Sequence, residues 1–140
     1  MGRILLFYVI LLSLGCKNSS ISKEDLPHLN GYWEISEVEF PDGTKKKYSV
    51  NPSVDFIQIE DMKGFRKKVQ PKFDGSYSTS KAVEPFHLVL YNEGFALRYK
   101  SNLNEWEERL IHLDPSSFAI LNEEGIKYSY KRFQPIVIPK

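Results

Sequence analysis

Cysteine is almost absent: Cys16 is the single thiol in 140 residues, so the chain cannot form an internal disulfide. An excess of one charge is lacking too. There are 19 Lys and Arg against 18 Asp and Glu, a net charge of +1, and this balance argues against a nucleic-acid partner. No Gly-x-Ser-x-Gly, no phosphate-binding glycine loop and no thiol other than Cys16 offers nucleophilic or phosphoryl chemistry. His28, His87 and His112 are far apart, and none has a His, Cys or carboxylate at a recognisable metal-ligand spacing, so neither metal nor cofactor is expected. In "NEWEER" the carboxylates of Glu105 and Glu107 share a strand face and that of Glu108 takes the other; a solvated hairpin accounts for them, and no catalytic residue is expected.

What is present suits one packed domain: 41% hydrophobic and 14% aromatic residues are too many for a disordered chain, and the length supports a single modest core. The amino terminus differs in kind. Met1-Gly2-Arg3 is followed by the uncharged run Ile4 to Leu14, well short of the roughly 20 apolar residues of a spanning helix, and then by Gly15-Cys16. With Leu12, Gly15 and Cys16 in these positions, the start resembles a bacterial lipoprotein precursor. The resemblance implies cleavage before Cys16 and a thioether from its sulfur to diacylglycerol, anchoring the protein to a membrane that more than one acyl chain would hold stably. It implies a Gram-negative cell envelope. Lys17-Asn18-Ser19-Ser20, with no aspartate beside Cys16 and no acidic cluster, implies the outer membrane, facing the periplasm.

Beyond Ser20, "SKEDL" predicts one helical turn capped by Ser22 with Asp25 facing it. Short alternating segments follow. Strands are predicted near 31–40, 46–50, 54–60, 64–70, 76–80, 85–91, 95–100, 105–113, 118–121 and 126–133, separated by turns such as Asp42-Gly43, Asp74-Gly75, Glu93-Gly94 and Glu124-Gly125. Phe95, Leu97 and Tyr99 face one way and Arg98 and Lys100 the other, so one face is apolar and one wet. Trp33 and Ile35 share a parity that Val38 and Phe40 do not, which predicts a bulge near Ser36 and Glu37. With no long helix to cover a flat sheet, closure of eight or more strands removes the edges, and the expected fold is an all-β, antiparallel up-and-down barrel.

"LNGYWEISEVE" and "KYSYKRF", at the two ends of this meander, are similar to the ends of lipocalin-like bacterial lipoprotein domains. The resemblance implies that Trp33 of Gly31-Tyr32-Trp33 closes one end of the barrel, with Arg132 of the last strand lying across its indole. It divides the chain into a cleaved signal peptide (1–15), a lipidated cysteine and tether (16–28), a barrel (29–134) and a tail (135–140).

Barrels of this size either are filled by side chains or hold one small ligand. The expected inward residues, and so the candidate ligand lining, are Phe86, Leu88, Leu90, Phe95, Leu97, Tyr99, Phe118, Ile120, Tyr128 and Tyr130; tyrosine hydroxyls among them could orient the polar head of an apolar ligand. Two functions stay open: a lipid-anchored binder of a small apolar or amphipathic molecule, and a structural lipoprotein with a filled barrel that recognises another envelope component. For the second, the basic stretch Lys63, Arg66, Lys67, Lys68 and Lys72 and the tail Ile136-Val137-Ile138 are candidate surfaces, though a solvated strand also explains the basic residues.

Overall fold

A computed structural model describes residues 20–79 and 82–135. Cys16, the apolar run before it and Ile136 to Ile138 lie outside the described residues. Ten strands form one antiparallel sheet: β1 (Gly31–Glu39), β2 (Lys45–Lys47), β3 (Val54–Glu60), β4 (Lys63–Pro71), β5 (Tyr77–Thr79), β6 (Glu84–Tyr91), β7 (Gly94–Lys100), β8 (Glu105–Leu113), β9 (Ser117–Leu121) and β10 (Lys127–Arg132). The order runs β1-β3-β4-β6-β7-β8-β9-β10, and β10 pairs back onto β1. The fold is therefore the expected closed up-and-down barrel. β2 and β5 are additions, each extending one half of β1 or β4.

The first strand bends where its parity changes. Register slips between Ile35 and Glu37, which lets Trp33 and Val38 both turn inward. One tight connection was not signalled by glycine: Glu60 pairs with Lys63, and Asp61 and Met62 both adopt positive φ, the geometry of a two-residue hairpin.

The helical turn is a 3-10 helix, Lys23–Leu29, with the Ser22 and Asp25 capping box in place. It belongs to the barrel body rather than to a tether. Leu26 and Leu29 are buried in the main core, so the folded unit begins earlier than the expected boundary at residue 29. The helix covers one end of the barrel, together with the β3–β4, β6–β7 and β8–β9 turns. The opposite end carries the β1–β2, β4–β5, β7–β8 and β9–β10 turns and is open.

Packing is uneven along the barrel axis. Leu29, Trp33, Ile57, Phe86, Leu88, Leu97 and Phe118 fill the covered half. Leu90 departs from expectation: it follows the parity of Phe86 and Leu88 and pairs with buried Phe95, but is 79% exposed, because β4 pairs with β6 only as far as His87 and leaves Leu90 with a neighbouring strand on one side alone.

Candidate functional site

Trp33 sits wholly buried at the covered end, where its indole N–H donates to the Leu29 carbonyl at 2.8 Å. The Arg132 guanidinium lies over the indole, 3.8 Å from the ring centroid. Arg132 donates to three backbone carbonyls, those of Asn30 (2.6 Å), His28 (2.8 Å) and Pro115 (3.0 Å), and so ties the helix and the β8–β9 turn to the last strand. Gly31 is required beneath it. Its φ is +121°, and a Cβ there would come within 2.5 Å of Arg132 Nη1.

From this plug an aromatic column climbs the interior. Trp33 meets Phe118 edge to face at 4.7 Å, and Phe118 stacks on Tyr130 at 4.6 Å. A second arginine caps the column: Arg66 lies 5.0 Å over the Tyr130 ring. Arg66 was expected on the surface with its basic neighbours, and this placement is corrected. The hairpin register sets Arg66 opposite Ile57 on the inward face, and the diagonal neighbour on that face is Asp55. Arg66 Nη2 donates to Asp55 Oδ2 at 2.8 Å and to the Tyr130 hydroxyl at 2.6 Å. Lys68, with its amine in solvent, donates to Asp55 Oδ1 at 2.9 Å.

These charges hold each other ionised inside the barrel. Burial pushes the Asp55 carboxyl up, but Arg66 and Lys68 outweigh it and leave the group below the usual carboxylate range. Burial likewise opposes the Arg66 charge, and the surrounding phenol and carboxylates hold it above its ordinary value. Glu108, on β8, reaches the same cluster with Oε2 at 3.9 Å from Arg66 Nη1; burial dominates there and raises its pKa. Burial also raises the phenols of Tyr99 and Tyr130.

Above this cluster lies a cavity of about 710 Å³. It opens where β4 changes partners: β4 pairs with β6 as far as Arg66 and with β5 from Val69 on, and Lys67, Lys68, Ala82 and Glu84 line the parting. Trp106, Glu107, Glu108, Ile120, Tyr128, Tyr130 and the β9–β10 turn from Asn122 to Glu124 complete the wall. Of the expected lining residues, Ile120, Tyr128 and Tyr130 are on this wall. Phe86, Leu88, Leu97, Tyr99 and Phe118 belong to the packed core beneath, and Phe95 borders a smaller depression of about 240 Å³ at the covered end.

The residues weighed for catalysis are dispersed. Glu105 and Glu107 face Arg98 on the outside, Nε to Glu107 Oε1 at 2.7 Å. His112 contacts Asp114 and Ser117, His28 gives its carbonyl to Arg132, and His87 pairs along β6 with Lys63 and Arg98. Asp55 escaped the sequence reading, and Arg66 and Glu108 were read there as solvated, yet Asp55 shares the parity of Ile57 and Ile59 in "VDFIQIE", and an acid at an inward position asks for a buried base.

No protein-family model matches the chain, and no curated protein matches it. Among solved structures, the chain is similar to a lipocalin-like protein from Bacteroides uniformis, with a TM-score of 0.47 and 15% identity over 76% of this chain and 99% of that one. It is also similar to an uncharacterized protein from Bacteroides eggerthii, with a TM-score of 0.46 and 16% identity over 75% of this chain and 99% of that one.

Proposed function

We propose that this protein is an envelope lipoprotein, anchored through lipid on Cys16, whose lipocalin-like barrel holds one small amphipathic molecule in the cavity at its open end. The observation that carries the binding role is the cavity itself: about 710 Å³, within the range of small-molecule sites, with Trp106, Ile120 and Tyr128 among charged side chains on its wall and the Asp55, Arg66 and Tyr130 cluster as its floor. Aromatic and charged side chains side by side on one wall suit an amphipathic molecule. The anchor rests on the basic start, apolar run and Gly15-Cys16 junction, and the outer membrane facing the periplasm on the polar segment that follows. We read the role as binding: Glu105 and Glu107, the carboxylates sharing a strand face in "NEWEER", are engaged by Arg98.

Native mass spectrometry of the purified chain after incubation with an envelope lipid extract should show a discrete adduct. A clean unliganded mass would sink the binding role and favour a partner-recognising lipoprotein, for which the open-end turns supply Phe73 and Leu103, exposed to 88% and 91%, and the β2–β3 connection Val50, exposed to 86%. Cys16→Ala should abolish acylation and leave the precursor uncleaved or soluble; ordinary membrane retention of that variant would refute the anchor.

A further inference from the structure

The cavity is lined by charges that do not balance. Asp55, Glu84, Glu107, Glu108, Glu123 and Glu124 stand against Arg66, Lys67 and Lys68, six acids to three bases and a net charge of −3. The bases are engaged. Arg66 and Lys68 share Asp55, with Glu108 facing Arg66 from β8. Lys67 alternates with inward Arg66, and its amine lies 5.6 Å and 5.9 Å from the ring centroids of Phe56 and Phe65 on the outward face. Glu107 is held by Arg98. Glu84, Glu123 and Glu124 are left, all exposed at the cavity edge, and no Lys, Arg or His among the described residues forms an ion pair with any of them.

Trp106 stands among these acids. Tyr99 covers one face of its indole, the two rings parallel at 5.2 Å, while the indole lines the cavity, so the face turned from Tyr99 is the one the cavity meets. The acidic turn is fastened beside it: Glu123 Oε1 accepts from the backbone N–H of Glu107, the residue after Trp106, at 3.0 Å. From β6, Glu84 reaches the same region. Burial raises the Glu108 pKa, Arg66 opposes the rise and Glu84 adds to it, so these two carboxylates feel each other. An indole face attracts a cation, and a carboxylate bonds one more strongly than it bonds a neutral group. The same wall repels an anion. Arg66 and Lys68 do not reverse this, because Asp55 and Glu108 match them in number.

We propose that the cavity takes an amphipathic organic cation, an alkylammonium, with its charge against the open face of Trp106 and among Glu84, Glu123 and Glu124. This rests on the binding role proposed above and names the charge of the ligand's polar end. The same ammonium is carried by a free alkylamine and by an aminated lipid headgroup.

The test is calorimetric titration of the full chain in phosphatidylcholine nanodiscs, against empty nanodiscs, with hexylammonium, hexanol and hexanoate, which share one chain length and differ in charge. Hexylammonium should bind at least about fivefold more tightly than hexanol, and hexanoate more weakly than either. Raising the salt to about 0.5 M should remove most of the cation's advantage, because the three acids are exposed and screening then acts within a few ångströms. Glu84→Gln, Glu123→Gln and Glu124→Gln combined should lose about fivefold for hexylammonium at low salt and leave hexanol unchanged; Glu123→Gln keeps an acceptor for the Glu107 N–H, and a melting curve checks the fold. Trp106→Leu should lose a similar factor for the cation, and Trp106→Phe, which keeps a weaker ring face, should lose less. Dihexanoylphosphatidylethanolamine then separates the sources: affinity matching hexylammonium identifies a lipid headgroup, and weaker binding a free alkylamine. Hexanol or hexanoate bound as tightly as hexylammonium would overturn the cation while leaving a binding protein. An adduct from the envelope extract with no binding of hexylammonium would overturn it too, again without touching the binding role, whereas no adduct and no bound probe would overturn both.

Discussion

The two ends of this barrel are each organised by an arginine on an aromatic ring, and they use it differently. At the covered end Arg132 lies on Trp33 and gives its donors to backbone carbonyls of three separate segments; no carboxylate among the described residues pairs with it. Its charge is served by peptide dipoles, and desolvation lowers its pKa. At the open end Arg66 lies on Tyr130 and is held by Asp55, with Glu108 close by and incompletely satisfied. One arginine closes a lid with every neighbour satisfied, while the other sits in a cluster with capacity to spare. A fold can keep a saturated plug for stability and an unsaturated copy of the same arrangement for recognition.

The largest expected effect is at the plug. Trp33→Ala removes a fully buried indole, its hydrogen bond to Leu29 and its contact with Phe118, and should cost about 3–5 kcal/mol in denaturant unfolding. A loss below about 1 kcal/mol would mean that the covered end is not the stable one. At the other end, Arg66→Met strands the Asp55 carboxylate with only Lys68 and should cost about 3 kcal/mol. Asp55→Leu combined with Arg66→Met should recover much of that loss; failure to recover would show that the pair shapes the barrel wall as well as balancing charge. Arg132→Ala should cost about 2 kcal/mol, and a double-mutant cycle with Trp33 should show coupling. Strict additivity would break the parallel between the two arginines.

The smallest effect tests whether Glu108 is under-satisfied. Its folded-state pKa is raised, so the folded protein binds more protons than the unfolded chain as pH passes through the carboxylate range, and the group lowers stability as pH rises above that range. Glu108→Gln should therefore melt higher than the parent at pH 7, and the difference should shrink as pH falls to 4. An equal gap at both pH values would show that the carboxyl is fully paired.

The two ends were unequally legible in the sequence. Gly31-x-Trp33 and Arg132 stand out as short motifs at the chain's extremes, and strict alternation with Asp-Gly and Glu-Gly turns marks most strands within a residue or two. Arg66 was hidden by its company. Among Lys63, Lys67 and Lys68 its parity reads as one more solvated base, and the fact that points it inward is the register across a hairpin whose turn, Asp61-Met62, carries no glycine. Leu90 fails for a different reason: alternation assigns a side but not a neighbour, and β4 stops pairing with β6 at His87, before Leu90 is reached. Nor could the parting of β4 from β6 be foreseen, since it depends on β5, a strand of three residues that competes for the same edge.

Ser20 and Ile21 border the depression at the covered end, beside Tyr91 and Ile111. Only four peptide units separate Ser20 from Cys16, a reach of about 14 Å at full extension. Lipid on Cys16 would then moor the barrel by its plugged base, with the rim of exposed Tyr91 and Ile111 turned to the bilayer and the mouth directed away from it, on the order of 20 Å further out for strands of this length and tilt. Cargo would be exchanged with whatever lies across the aqueous gap, and the moored membrane would serve as a mounting rather than as the source.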